Sequence, residues 1–343
     1  MTSFRFLPVL AGSLLAAAAA PALAATPANP VEQPAPAPKA AGITRIDPTF
    51  WWVGMKNPKL QLLVYGPGIG RSQASLRAYE GVTLDNAQPL ENPNYLLLNL
   101  TISPQARPGK LQLEFKGDKK LTYAYELRQR TTPQDPTKVQ GIGTQDFVYL
   151  LMPDRFANGN PKNDVIKGMK APGIARDSMF ARHGGDLKGI EDHFDYLKQL
   201  GVTAIWPTPI VENDEPKTSY HGYAATDWYR VDARYGTNED YVRFVQNAHR
   251  NGLKVVHDVV LNHMGTSGYL VQDAPAKDWF HQWPTFTRSN FRDAAFNDPY
   301  VSGYDRKQFG EGWFDRHMAD LNQSNPLVAN YLIQNFIWWV EYT

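Results

Sequence analysis

Three short stretches of this 343-residue chain gather side chains that can do chemistry. The first is Asp154-Arg155-Phe156-Ala157-Asn158-Gly159-Asn160-Pro161-Lys162-Asn163-Asp164, where oxygen-bearing side chains crowd around a glycine turn. Calcium, a hard cation, takes six to eight oxygens, and Asn or Asp side chains and backbone carbonyls provide them. The EF-hand pattern with its terminal Glu is missing, and taken alone the stretch also reads as a solvated Asn-Gly turn. The second stretch is Tyr220-His221-Gly222-Tyr223. A neutral imidazole offers one donor and one acceptor, which suits a hydroxyl group, while an ordinary aromatic loop would explain the same residues. The third is the polar set Asp258, Asn262 and His263, which ends a block of Val and Leu. A lone Asp there is most simply a turn former; the three together weigh more. His257 and His263 do not form a metal pair, because six residues of extended chain separate them by about 20 Å.

The elements around these groups must place them. Residues 253–263 read as one buried parallel strand, since such strands are near-continuous runs of Val, Ile and Leu. Polar residues at the C-terminal end of such a strand lie where an α/β barrel builds its site. Two further strands are expected over 146–152 and 202–206. Ile190, Phe194 and Leu197 give an amphipathic helix that Gly201 closes. Thr237 and Asp240 form a capping box for a second helix, with Tyr241, Phe244, Val245 and Ala248 on its apolar side and Gly252 at its stop. Asn325 and Pro326 suit the cap and first position of a third, with Val328, Leu332, Phe336 and Val340 on one face. Strands alternating with helices predict a parallel sheet. The interruption between Met264 and Ala319 is too long for a loop and predicts a small inserted domain.

Upstream the period is two. Leu111, Leu113 and Phe115 alternate with polar residues, as do Leu121, Tyr123, Tyr125 and Leu127, and Gly-Pro and Asn-Pro turns break the runs. That pattern predicts a small antiparallel sandwich. Trp51 and Trp52 can form a sugar platform, although packing a core is their simpler use. Ala25 to Ala41 is rich in Pro and Ala and reads as an extended linker. Before it, Arg5, the apolar run from Phe6 to Ala20 and Ala22-Leu23-Ala24 read as a secretory signal peptide, too short in its apolar part to span a membrane. The expected address is therefore periplasmic or extracellular. A net charge of +1 asks for no nucleic acid. Without cysteine there is no disulfide, thiolate nucleophile or Cys-ligated zinc. Aromatic residues make up 12%, with 9 Trp, which suits sugar faces as well as cores.

Asp258-Val259-Val260-Leu261-Asn262-His263 resembles the first conserved region of the alpha-amylase superfamily (glycoside hydrolase family 13). The 44–130 module is similar in pattern to the immunoglobulin-like N-terminal module of cyclomaltodextrinases and neopullulanases. The resemblance implies a multi-domain protein with these parts: signal peptide 1–24, linker 25–43, all-β sandwich 44–130, the first three strands of an α/β (TIM) barrel over 144–263, an inserted domain B at 264–319, and the third barrel helix at 320–343. It implies that Asp258 supports the catalytic centre and that His221 and His263 bind the sugar at the cleaved position, with Tyr223 stacking beneath it. Gly184-Gly185-Asp186 would complete a calcium loop, giving the ligands Asn158, Asn160, Asn163, Asp164, the Gly184 carbonyl and Asp186. Asn262 and Asp320 would share a second calcium. Ala319 stands where many relatives carry Pro, which leaves α-1,4, α-1,6 or cyclic preference open. The implied partner is an α-glucan (starch, maltodextrin, cyclomaltodextrin or pullulan), and relatives can dimerise through the N-terminal module.

The family reaction is retaining chemistry at an α-glucosidic bond and needs a carboxylate nucleophile and a general acid. Those groups are expected beyond Thr343, so the chain reads as the front part of an exported glycosidase, inactive in itself; a non-catalytic α-glucan-binding protein is the alternative. On this reading Phe336 to Val340 lack neighbours and stand exposed, while the sandwich folds by itself.

Overall fold

The computed structural model describes residues 42–131, 141–293 and 297–343. The signal peptide assigned to 1–24 and all of the linker up to residue 41 lie outside the described residues. Eight strands come first: β1 (Arg45–Asp47), β2 (Trp51–Trp52), β3 (Lys59–Tyr65), β4 (Gln73–Leu76), β5 (Val82–Pro89), β6 (Tyr95–Ile102), β7 (Gly109–Lys116) and β8 (Lys120–Arg128). They form two four-stranded sheets, in the orders β1-β3-β6-β5 and β2-β8-β7-β4. Period-two alternation works as expected on β7, where Leu111, Leu113 and Phe115 are buried and their neighbours are not. The run Tyr95 to Leu98 on β6 is buried throughout, and so are Leu60 to Val64 on β3. That sheet is covered on both faces, once by its partner sheet and once by the rest of the chain.

The second part continues with β9 (Val148–Leu151), α1 (Pro153–Phe156), α2 (Leu187–Glu191), α3 (Phe194–Gln199), β10 (Ala204–Pro207), β11 (Val211–Glu212), β12 (Asp227–Val231), α4 (Asn238–Arg250) and β13 (Lys254–Val255). β9 and β13 flank β10 in a three-stranded parallel sheet. Then come β14 (His263–Gly265), α5 (Tyr269–Gln272), α6 (Gly303–Glu311), β15 (Met318–Asp320) and α7 (Pro326–Tyr342). The fold is a β-sandwich followed by the first strands of an α/β barrel. The capping box of α4 is present, with Thr237 and Asp240 each bonded to the other's backbone N–H. Ile190, Phe194 and Leu197 are all buried, but the helix they share breaks into α2 and α3 around Asp192.

Two expectations need correction. The strand expected over 253–263 is not continuous. Its ladder with β10 ends where the Val256 N–H donates to the Ile205 carbonyl (2.9 Å), and His263 opens a different, antiparallel pairing with Asp320. β13 is an edge strand with β10 on one side only, so an apolar run cannot by itself hold Val259 and Leu261 in a ladder; both are 40% exposed. The β14–β15 pair ties together the two ends of the excursion between them.

The face of α7 is the second correction. Val340, placed on one apolar face with Val328 and Leu332, is 75% exposed while those two are buried, and Trp338 and Trp339, expected to stand exposed, are buried as well. The true inner face is Val328, Tyr331, Leu332, Asn335, Trp338 and Trp339, at spacings of three and four. It turns that way because polar side chains dock on backbone. Gln334 accepts from the Gln61 N–H (2.8 Å) and donates to the Gln61 carbonyl (2.7 Å), serving β3 as a further strand would. Asn335 and Trp339 both donate to the Trp228 carbonyl. Trp338 packs on Phe50 of the sandwich and Tyr229 of β12. Trp51 and Trp52 are core residues.

The sandwich therefore has no core to itself; one apolar cluster runs from Ile46 to Trp339. At its centre Arg45 donates through Nε to Asp47 (2.8 Å) and through both terminal nitrogens to Asp227. Asp47 also accepts from the hydroxyls of Tyr269 (2.6 Å) and Tyr331 (2.9 Å). Burial raises the Asp47 carboxyl despite Arg45, while at Asp227 the guanidinium overcomes burial and holds the carboxyl below its usual range. Removing one partner of a buried pair leaves the other's charge uncompensated. We therefore expect Arg45→Met to lower unfolding stability by about 3–5 kcal/mol in urea titrations; a loss below roughly 1 kcal/mol, the range of a surface pair, would contradict it.

Candidate functional site

Tyr223 is the hub of the polar residues at the C-terminal ends of β10 and β13. It follows a turn of 3₁₀ helix, Ser219–His221, and Gly222, whose φ of 84° only glycine adopts readily. Its N–H donates to His221 Nδ1 (2.9 Å), its carbonyl accepts from His263 Nε2 (2.9 Å), and its hydroxyl donates to Asp258 Oδ2 (3.3 Å). His221, Tyr223, Asp258 and His263, far apart in sequence, thus meet through one residue. Phe314 stacks on the His263 ring with centroids 5.0 Å apart.

Burial, helped by the neighbouring His317, Arg182 and His263, pulls the His221 imidazole down to about 4. The ring is neutral near pH 7, its Nδ1 accepts from Tyr223, and its proton sits on Nε2 as a donor for an incoming oxygen. Burial also lowers His263, although its bond to the Tyr223 carbonyl works the other way. His257 is spent elsewhere. It is packed against Trp339, bonded to the Tyr241 hydroxyl (3.1 Å), and pulled by burial down to about 4.

Two groups escaped the sequence reading. Trp206, at the exposed end of β10, donates its indole N–H to Asp258 Oδ2 at 2.9 Å. Its place at a strand's C-terminal end was the available signal. His281 holds Asp320 through Nδ1 (2.7 Å), a contact that no local pattern announces. The other Asp320 oxygen accepts from Asn262 Nδ2 (3.0 Å). Asn262 and Asp320 are therefore adjacent but satisfied by protein donors, and their geometry adds no support for a second cation.

The oxygen-rich loop behaves differently. Asn158 Nδ2 donates to Asp164 Oδ1 (2.7 Å), and a Cβ placed on Gly184 would fall 2.8 Å from each of those two atoms, so only glycine fits there. The side-chain oxygens of Asn158 and Asn163 are buried without a hydrogen-bond partner among the described residues. Two orphaned amide oxygens on the loop that carries the Asp164 carboxylate fit a hard cation. Asn160 and Asp186 are engaged with backbone. Asn160 accepts from the Lys162 N–H (3.3 Å), and Asp186 takes those of Gly159, Asn160 and Gly189, capping α2. Among the described residues no three His, Cys, Asp or Glu side chains gather as a metal group, so any ion here would rest mainly on amides and carbonyls.

Comparison with known proteins accounts for both parts of the chain. The family model of the alpha-amylase catalytic domain matches residues 150–343, and that of the cyclomaltodextrinase N-terminal domain matches 45–131. The chain belongs to the alpha-amylase family. It is 35% identical to a cyclomaltodextrinase of Thermoanaerobacter pseudethanolicus over 57% of this chain and 32% of that protein. It is 32% identical to neopullulanase 2 of Thermoactinomyces vulgaris over 64% of this chain and 35% of that one. A solved Anoxybacillus alpha-amylase shares 38% identity, covering 58% of this chain and 39% of its own, with a TM-score of 0.46. The match thus spans about a third of the length of these relatives. Among the described residues no helix is long and apolar enough to cross a membrane.

The depressed histidines have a consequence for stability. An unfolded imidazole takes up its proton near pH 6.5, the folded His221 and His257 only near 4. The unfolded state gains protons first, so stability is full above pH 6.5 and falls as pH drops towards 4. Thermal melting should show that decline, and His257→Gln should flatten it by an amount on the order of 3 kcal/mol across the window. An unchanged profile in the variant would contradict this.

Proposed function

We propose that the cluster of His221, Tyr223, Asp258 and His263 binds a glucosyl unit of an α-glucan, in the service of hydrolysis or transfer at an α-glucosidic bond. The observation that supports this best is the triple engagement of Tyr223, which fixes both histidines and the aspartate about one aromatic ring. The ring offers a face for the apolar side of a sugar, and the Nε2–H of His221 offers a donor for a hydroxyl. The relatives named cyclomaltodextrinase and neopullulanase agree with that substrate class. In a retaining reaction a carboxylate attacks the anomeric carbon while an acid protonates the leaving oxygen. No residue of this chain is assigned to either role; the cluster's part is to hold the sugar.

The reading includes a calcium ion held by Asn158, Asn163, Asp164 and the Gly184 carbonyl, with Asn160 and Asp186 shaping the loop around it. The ion would supply charge to pin the loop after β9 against the 184–186 segment, with no step of the reaction passing through it. Export is part of the same proposal and rests on residues 1–24.

Isothermal titration with maltohexaose tests the site. Tyr223→Ala and His221→Ala should each weaken binding roughly tenfold, and affinities equal to the parent's would sink the assignment. Melting in calcium and in chelator tests the ion. Saturating calcium at a hundred times its dissociation constant should add about 2.7 kcal/mol, and Asp164→Ala should lose that gain. Identical melting in both conditions would remove calcium from the account.

A further inference from the structure

Asp232 lies buried just past β12, and three groups crowd one of its oxygens. Oδ2 accepts from Arg182 Nη2 (2.9 Å), from Arg234 Nη2 (2.8 Å) and from the Asn213 N–H (3.1 Å). Oδ1 takes Arg234 Nε (2.8 Å) and the Arg234 N–H (3.0 Å). Burial works to raise this carboxyl, but the two guanidiniums outweigh it and hold it at about 2, so it is ionised. Two permanent positive charges therefore share one negative charge, where Arg182, Arg234 and Asn213 are each no more than 5% exposed. The neighbouring carboxylates are committed elsewhere. Asp154 is bound to Arg155 and to the His183 N–H (2.9 Å), and Glu215 takes the Ser267 N–H (2.7 Å).

The unmet hydrogen-bonding groups point the same way. Arg182 Nη1, Arg234 Nη1 and both ends of the Asn213 side-chain amide are buried without a partner among the described residues. Three of those four atoms can only donate. A water molecule would bring two hydrogens of its own to a place with one spare acceptor, Asn213 Oδ1. An anion accepts only, and it also cancels the surplus buried charge, which is costly when left unpaired. We infer that Arg182, Arg234 and Asn213 form a binding site for a small monovalent anion of about the size of chloride. Arg182 also forms part of the wall of a cleft of about 450 Å³ between residues 171–182 and 216–219, so the site lies one side chain from solvent. None of the three residues belongs to the sugar cluster, and the inference stands apart from the α-glucan reading.

Chloride is the probe, exchanged stepwise for the bulkier methanesulfonate at constant ionic strength on the full chain. The ³⁵Cl resonance should broaden with added protein in a saturable way, and the melting temperature should climb by about 2 °C to a plateau as chloride rises. Arg234→Gln leaves a neutral Arg182–Asp232 pair, and both responses should vanish. Should that variant not fold, Asn213→Leu keeps both guanidiniums and removes only the amide; its chloride midpoint should move roughly tenfold higher. A parent that melts alike in both salts and broadens no line overturns the inference. So do variants that respond as the parent does, since the chloride is then an adventitious surface ion only.

Discussion

Arg45 sits on the first strand of the sandwich, and its guanidinium answers two carboxylates that burial would otherwise make costly. Asp47 lies on the same strand and also takes the hydroxyls of Tyr269 from the inserted region and Tyr331 from α7; Asp227 opens β12. Four elements from distant parts of the sequence therefore depend on one charge. Paired and hydrogen-bonded, such a node holds its members in a single arrangement; with one member lost, each remaining charge faces the full desolvation penalty. The Gln61–Gln334 amide pair and the two bonds to the Trp228 carbonyl extend the same weld along α7.

That weld reaches the candidate site through the chain itself. Asp227 is four residues beyond Tyr223, and the loop between β11 and β12 carries His221 and Tyr223. The loop's far end is fixed by Arg45, and its near side by β11 pairing with β12. The other side of the cluster, Asp258 and His263, comes from the segment after β13, whose ladder with β10 has already ended. Its position depends on side-chain bonds to Tyr223 and Trp206 and on the β14–β15 pair. The sandwich thus acts on a binding region that it does not line.

The polar groups of the site were readable because each motif is local. Asp258, Asn262 and His263 follow a recognisable strand, and Asn158 to Asp164 surround a glycine turn. Parts of the fold were readable for the same reason, as in the Thr237–Asp240 capping box and the alternation on β7. What stayed hidden is non-local. Gln334 and Asn335 read as the outer face of a helix, yet they are buried because backbone groups on β3 and β12 need partners. Their turn inward rotates Val340 to solvent and brings Trp338 into the core. Arg45, Asp47 and Asp227 look like ordinary surface charges until the sheets are assembled. Trp206 looked like a barrel strand residue, and only its register beside β13 shows which carboxylate it serves.

If the node makes sandwich and barrel strands one unit, they should open together. Native-state hydrogen exchange on the full chain measures this directly, by comparing the slowest amides of β3 and β6 with those of β12 and α7. The account predicts that both groups exchange through one global opening, with equal free energies and equal denaturant dependence. Sandwich amides that stay protected while β12 and α7 exchange freely would show two independent cores and contradict it.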